Sequence, residues 1–357
     1  MPLLAHDFEL GDRRFSHLSP YVIAEIGVNH EGSLPRARKM IEDIAAAGGH
    51  AAKFQTYKAE LLATADTSPA YWDRSKEQTA SQFALFKRWD NFGPAEYEAL
   101  ARHCEACGID FLSTPFDLSA VGLIARLAPA IKIASADITN IPLLREAGLT
   151  SKPVILSVGA ARTDEIALAV GTLKAAGSGP ITLLHCVLNY PTRPQDAQLA
   201  QIVELQRLFG HQCTIGYSDH VAPTDDGDMP ALELAVMGGA VVIEKHFTDD
   251  RSAQGNDHYH AMDASGLARF MKRLAQLRML WGSGGFDLSG QAAAIENARR
   301  RVVSLRSLAA GEAVEAEDLV ALRSNQGIEI GHWDRILGRK LRRDVPAGRP
   351  LEWEDIA

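Results

Sequence analysis

Eight short apolar runs, most of them rich in β-branched residues, constrain the fold of this chain more than any other feature. They are Tyr21–Glu25, Ala51–Gln55, Asp110–Ser113, Ile131–Ala134, Val154–Ser157, Ile181–His185, Thr214–Ser218 and Val241–His246. Between them lie stretches of helical period, among them Leu34–Ala47, Tyr97–Cys107, Ser119–Leu127, Asp164–Ala175, Gln198–Leu208 and Met229–Met237. The runs do not alternate apolar with polar, as expected of parallel strands covered on both faces. Eight strand–helix units over roughly 250 residues predict an α/β fold, a (β/α)8 TIM barrel. A doubly wound open sheet needs fewer strands and a glycine-rich phosphate turn, which does not follow Tyr21–Glu25.

The flanks add smaller elements. Phe8–Phe15 reads as a hairpin turning at Gly11-Asp12, placed to plug the amino-terminal face of the barrel. A long insertion, Thr56–Asn91, follows the second run; its Gln82–Trp89 part is helical, and the whole reads as a lid. Gly282-Ser283-Gly284-Gly285 ends a helix, Ala264–Leu280, and closes a first domain of residues 1–285. Residues 286–301 read as a linker with a helix over Gln291–Arg301; residues 302–357 form a small β-rich domain of short strands and turns. At a net charge of −8 the chain is a poor partner for nucleic acid or an anionic membrane. No apolar run is long enough to span a bilayer, and Met1–Pro20 has no signal-like apolar core. Four cysteines without a disulfide pattern point to a reducing cytoplasm; Cys104-x-x-Cys107 sits inside a helical stretch and reads as structural.

In such barrels the chemistry gathers at the carboxyl ends of the strands. Those ends carry Glu25; Lys53 and Gln55; Ser113 and Thr114; Lys132, Ser135 and Asp137; Ser157; His185 and Tyr190; Ser218, Asp219 and His220; Glu244 and His246. So many polar groups converging on one mouth are costly to desolvate unless they bind something. Two lysines among hydroxyls suit an anion, best a phosphate. Two histidines with carboxylates beside them suit a divalent metal. Glu244 and His246, two apart on a strand, share a face, as do Lys53 and Gln55. Gln254–His260 reads as a substrate loop.

The motifs Tyr21-Val-Ile-Ala-Glu-Ile-Gly-Val-Asn-His30, Lys53-Phe-Gln-Thr56, Ser113-Thr-Pro-Phe116, Lys132-Ile-Ala-Ser135, Leu184-His-Cys186 with Tyr190-Pro-Thr192, Gly216-Tyr-Ser-Asp-His220 and Glu244-Lys-His-Phe-Thr248 resemble those of the sialic acid (N-acetylneuraminate) synthases. That family includes the legionaminic and pseudaminic acid synthases and spore-coat polysaccharide relatives. From Val302 the chain resembles their SAF, or antifreeze-like, domain, in Gly311-Glu312, Asp318-Leu319, Gly338-Arg-Lys340 and Pro346-Ala-Gly348. The resemblance implies condensation of phosphoenolpyruvate (PEP) with an open-chain N-acyl hexosamine such as N-acetylmannosamine. The product is a 2-keto-3-deoxy sugar acid plus phosphate, formed with C–O cleavage of PEP. It implies a divalent metal, Mn²⁺ foremost with Mg²⁺ or Co²⁺ as substitutes, on His220 and His246, with Glu244 and Asp219 behind them. It implies PEP held by Lys53, Gln55, Thr114, Lys132, Ser135, Ser157 and Ser218; sugar contacts from Tyr190, Asn189, Asp257 and Arg323; and catalytic roles for Glu25, Asp137 and Lys53. It further implies a domain-swapped homodimer, with an arginine of one subunit's SAF domain, here Arg323, reaching the other's sugar.

Four departures from the family pattern fall where the sugar should sit. Asp137 replaces a glutamate; Leu188 replaces an asparagine, with Asn189 one place later; Gly255-Asn-Asp-His258 replaces Gly-Pro-Asp-His; and Arg323-Ser-Asn replaces Arg-Pro-Gly. The expectation is a retained PEP half-reaction with an acceptor other than N-acetylmannosamine, or a variant of it. Two other readings stay open. One is a metal-dependent barrel aldolase or lyase; the other is a non-catalytic carbohydrate-binding protein.

Overall fold

The structure is a computed structural model that describes residues 7–69, 74–75, 77–255, 257–282 and 284–357. Its contacts divide the chain into two compact units, Met1–Gly282 and Ser283–Ala357.

The first unit begins with the expected hairpin, β1 (Phe8–Leu10) and β2 (Arg13–Phe15), paired antiparallel about Gly11. The barrel units follow: β3 (Tyr21–Gly27), α1 (Leu34–Ala46), β4 (Ala51–Thr56), α2 (Ala59–Leu62), α3 (Gln82–Trp89), α4 (Pro94–Ala106), β5 (Asp110–Pro115) and α5 (Leu118–Leu127). They continue with β6 (Ile131–Ile133), α6 (Ile141–Leu149), β7 (Val154–Ser157), α7 (Thr163–Ala175), β8 (Ile181–Cys186), α8 (Ala200–Phe209), β9 (Thr214–Asp219), α9 (Pro230–Met237), β10 (Val242–His246) and α10 (Ala264–Trp281). The eight barrel strands are parallel in the order β5-β4-β3-β10-β9-β8-β7-β6, and β5 and β6 lie side by side to close the ring. Every residue of β3, β6, β7, β8 and β10 is buried. That explains the missing alternation, since one face fills the barrel and the other meets the helices.

Sequence places the helix starts. Ser33, Ser81, Asp117, Asn140 and Asp263 each accept a backbone N–H of the first turn. The hairpin covers the amino-terminal ends of the strands. Phe8 and Phe15 pack on Tyr21, the first residue of β3, and Arg13 and the Tyr21 hydroxyl both bond to Asp110, the first residue of β5. Cys104 is buried on α4 and Cys107 ends it; both are free thiols.

In the second unit, α11 (Ala292–Ala298) is shorter than the expected Gln291–Arg301 helix, because Arg300 already opens β11 (Arg300–Ser304). β11 pairs antiparallel with β12 (Leu319–Arg323), and α12 (Trp333–Ile336) follows. The stretches near Gly338–Leu341 and Pro346–Gly348 form single bridges and turns rather than strands, as in Ala313 with Lys340 and Val303 with Pro350. Ten buried apolar side chains, from Val302 to Ile356, give this unit its own core.

Candidate active site

The barrel's carboxyl-terminal mouth opens into a cavity of about 470 Å³. Strand parity decides what lines it. Glu25, Lys53, Gln55, Thr114, Lys132, Ser157, Ser218, Glu244 and His246 point in, joined by Ser135, Asp137, Tyr190 and His220 from the loops that follow β6, β8 and β9. Registers bring Glu25 opposite both Lys53 and His246, and Glu244 opposite Ser218. After Glu25 the register with β4 slips at Gly27, where φ is +56°. A Cβ at Gly27 would sit 3.1 Å from Glu25 Oε1 and 3.2 Å from Gln55 Nε2, so glycine leaves room for both side chains.

The floor is a buried quartet of two acids and two bases. Lys53 Nζ pairs with Glu25 Oε2 and lies 3.6 Å from Glu244 Oε2; Lys132 Nζ lies 3.8 Å from Glu244 Oε1. Lys132 also donates to Ser157 Oγ at 2.8 Å, Ser218 Oγ donates to Glu244 Oε1 at 3.1 Å, and Gln55 Nε2 donates to Glu25 Oε1 at 3.2 Å. Lys53 donates to Thr114 Oγ1 at 3.3 Å. Ser135 Oγ accepts the N–H of Gly159 at 2.9 Å, an approach that a Cβ at Gly159 would close.

Burial drives the Glu25 carboxyl up to about 7; Lys53 opposes this and Glu244 adds to it. Glu244 moves the other way, because Lys132 and Lys53 outweigh its burial. Burial lowers the Lys132 pKa, whereas the two glutamates more than offset burial at Lys53. Glu25 is thus a carboxyl poised to exchange a proton near neutrality, beside two buried lysines.

One side of the cavity is imidazole. His220 and His246 have ring centroids 5.4 Å apart, and Tyr190 packs 4.3 Å from His220. His220 Nδ1 donates to the Val187 carbonyl at 2.8 Å, so Nε2 is the ring nitrogen left for another partner. Burial holds His246 well below the ordinary histidine range, so it is neutral. Its buried Nδ1 and the Oε2 of Glu244 make no hydrogen bond. Two imidazoles beside a carboxylate oxygen that lacks a hydrogen bond fit a divalent cation. Among the described residues no three His, Cys, Asp or Glu groups converge as a closed cage, so an ion there would keep positions for oxygen ligands.

The other side is apolar. The lid segment contributes Tyr57, Leu62 and one face of α3 (Gln82, Leu85, Phe86 and Trp89), and Phe116, Leu188 and Tyr259 complete it. That spacing of three and four presents one helical stripe to the cavity.

Asp137 lines the cavity and accepts from Asn140 Nδ2 at 2.9 Å; burial raises its pKa. Asp257 lines it from the loop after β10. Two residues stand elsewhere, Asp219 and Asn189. Asp219 is turned out of the barrel by the alternation that turns Ser218 in. Lys245 Nζ at 2.7 Å, the Tyr217 hydroxyl at 2.7 Å and the Val221 N–H at 2.9 Å occupy its carboxylate. The expected place of Asp219 behind the histidines is therefore corrected: it is half of a buried ion pair with Lys245. Asn189 is exposed and does not line the cavity; Leu188 does. Arg323 is an exposed residue at the end of β12, in the second unit. Asn256, one of the four departures, lies outside the described residues. His260, in sequence just one histidine of the Gln254–His260 loop, belongs to this cluster. It is fully buried, 4.9 Å from His246 by ring centroids, and Asp257 Oδ1 accepts from its Nε2 at 3.2 Å.

A parallel eight-stranded barrel with paired lysines, paired glutamates and paired histidines at its carboxyl-terminal mouth has the framework of a barrel enzyme. Residues 40–285 match the NeuB family and residues 299–357 match the SAF domain, and the chain belongs to the NeuB family. It is 33% identical to the N,N'-diacetyllegionaminic acid synthase of Legionella pneumophila, over 96% of each chain. It resembles the crystal structure of N-acetylneuraminic acid (sialic acid) synthetase from Leptospira borgpetersenii, with TM-score 0.68 and 32% identity over 82% of this chain and 96% of that one. It also resembles a putative spore coat polysaccharide biosynthesis protein E from Chromobacterium violaceum, with TM-score 0.78 and 26% identity over 95% and 99% of the two chains. The chain is an enzyme of this nonulosonic acid synthase family. No helix among the described residues is long and apolar enough to cross a membrane.

Proposed function

We propose that the chain condenses PEP with an open-chain N-acylated amino sugar, giving a 2-keto-3-deoxy sugar acid and phosphate. The observation that carries this reading is the buried quartet: two lysines at 3% and 2% exposure, ringed by hydroxyls and balanced, among the described residues, by Glu25 and Glu244. Such cations suit a small, highly charged anion. A metal-dependent aldolase of unphosphorylated substrates would not need them to hold a phosphate.

Lys53, Lys132, Ser135, Ser157 and Ser218, with Thr114 and Gln55 beside them, hold the phosphate and carboxylate of PEP. A PEP anion competes with Glu25 for Lys53, and releasing that pair leaves Glu25 more basic. C3 of PEP bonds to the aldehyde carbon of the sugar, and positive charge develops at C2. Glu244 and Glu25 stabilise that charge in a water-poor floor. Water adds to C2 and Glu25 takes one of its protons; as the C2–O bond to phosphate breaks, the new C2 hydroxyl gives its proton to the departing phosphate and becomes the 2-keto group. Asp137, a carboxyl that burial keeps easy to protonate, supplies the proton to the former aldehyde oxygen. His220 and His246 hold a divalent cation, Mn²⁺ foremost, which when bound supplies Lewis-acid polarisation of the aldehyde. Tyr190 and Asp257 contact the sugar.

The apolar side of the cavity supports an acceptor with more apolar surface than N-acetylmannosamine, such as one with a second acyl group or a deoxygenated carbon. The chain acts as a homodimer, in which Arg323 of one subunit serves the other's acceptor; light scattering at twice the 38.7 kDa chain mass is the expected result. The deciding experiment measures phosphate release from PEP with Mn²⁺ across N-acetylmannosamine, diacetamido hexoses and unacylated aldoses, with product mass read in parallel. Release with one acceptor and a mass equal to that sugar plus pyruvate is expected. PEP that neither binds nor is consumed with any acceptor would overturn the reading.

A further inference from the structure

His260 stands in the loop that departs from the family pattern, and the geometry gives it a task. Asp257 lies between two imidazoles. Its Oδ1 accepts from His260 Nε2 at 3.2 Å, and its Oδ2 lies 3.3 Å from His246 Nδ1, in contact but not aligned as a hydrogen bond. The backbone N–H of Asp257 donates to Asn29 Oδ1 at 3.2 Å, which fixes the loop at this point. His260 itself has no freedom. It is fully buried, against His246 on one side (centroids 4.9 Å), Tyr190 on another (5.6 Å) and Tyr259 on a third (5.0 Å). Its Nδ1 is buried without a partner, so its one hydrogen bond is the one to Asp257. The ring is not among the side chains that line the cavity, whereas Asp257, His220 and His246 are.

We propose that His260 is a positioning residue: it holds the Asp257 carboxylate against His246 Nδ1 and so presents the opposite nitrogen of His246 to a divalent cation. The inference rests on the metal-dependent reading of the site. A carboxylate on the far nitrogen of a ligand histidine fixes its tautomer and orientation and raises its basicity. Here a second histidine orients that carboxylate in turn. Unassisted, an aspartate reaching from a loop rotates about its own side-chain torsions; with Oδ1 tied, Oδ2 has one direction to point. A direct ligand role for His260 is disfavoured, because Asp257 occupies its Nε2 and the described donors form no closed three-group cage.

The test uses the full chain stripped with a chelator. Free Mn²⁺ is titrated by electron paramagnetic resonance, without PEP or sugar, and folding is followed by circular dichroism and urea midpoint in the chelator. In His260→Leu the Mn²⁺ Kd should rise about tenfold or more, the scale on which such supporting contacts act. His260→Gln, which keeps an N–H donor, should recover most of the affinity. Asp257→Asn should lose as much as His260→Leu, and the double variant no more than either. A folded His260→Leu with wild-type Kd would overturn the proposal, as would losses that simply add. If His260→Leu does not fold, His260→Gln decides: affinity within about twofold of wild type, beside a weak Asp257→Asn, supports the proposal, and a Gln variant as weak as Asp257→Asn overturns it. Phosphate release separates this inference from the functional reading. A wild type that turns over PEP without binding Mn²⁺ sinks only the former; one whose Mn²⁺ affinity depends on His260 as stated but which never consumes PEP sinks only the latter.

Discussion

Glu25 decides most at the scale of single residues. Its carboxyl stands near 7 because it is buried beside Glu244, with Lys53 restraining the shift. A base role needs the ionised form, so kcat/KM should rise with pH up to about 7 and then level off. Glu25→Gln should remove that limb and lower kcat by a factor of about 10² to 10⁴. A pH–rate profile of both proteins checks this, and an unchanged acidic limb in Glu25→Gln would assign the titration elsewhere. Parity made much of this site legible. Residues two apart on a strand share a face, and so Lys53 with Gln55 and Glu244 with His246 were readable as pairs. The same rule, applied to Ser218-Asp219-His220, turns Asp219 outward, and the run of motif residues obscured it. His260 could not be read this way, because the loop after β10 has no period and its burial comes from packing on Tyr190 and His246.

Elements carry two further predictions. The Asp219–Lys245 pair joins β9 to β10 where both side chains leave the barrel; the two side chains are 1% and 0% exposed. Removing one partner strands a charge, so Lys245→Met should cost about 3–5 kcal/mol of stability, whereas the paired change Asp219→Leu with Lys245→Met should recover much of it. Urea denaturation of the three proteins measures both. The second concerns α3. Its cavity-facing residues are only half-buried in the chain alone, which suits a surface that a ligand completes. Trp89→Ala should raise the acceptor KM about tenfold while leaving the KM for PEP close to wild type. A loss in kcat alone would point to a structural role for the helix. The sequence marked α3 as helical through its spacing, yet which cavity the stripe would face depends on the path of the insertion, which composition does not specify.

For the barrel unit as a whole, acid should be the weak side. Burial, with Arg36 adding to it, holds His30 neutral down to about 4; it is stacked on Phe92 at 4.4 Å and its Nδ1 accepts the N–H of Gly32. A histidine whose folded pKa is depressed contributes stability that is present above its unfolded value, near 6.5, and is lost as pH falls toward 4. Going from pH 7 to pH 5 should therefore remove about 2 kcal/mol through this group alone. The slope should flatten in His30→Phe, as read from urea midpoints at the two pH values. The barrel itself was legible from eight runs and their helices. The second unit was less so, because its strands are two short ones and its remaining pairings are single bridges, too brief to leave a period.

The hairpin at the barrel's floor has a kinetic corollary. With Phe8, Phe15 and Tyr21 packed together at that end, the described residues leave the cavity one neck, the carboxyl-terminal mouth. Traffic through one neck must queue. The anion that belongs on the floor lysines goes in before the sugar that belongs against α3 and Tyr190, and a sugar arriving early blocks the way. Initial-rate patterns should therefore be sequential and ordered, with excess acceptor inhibiting competitively against PEP.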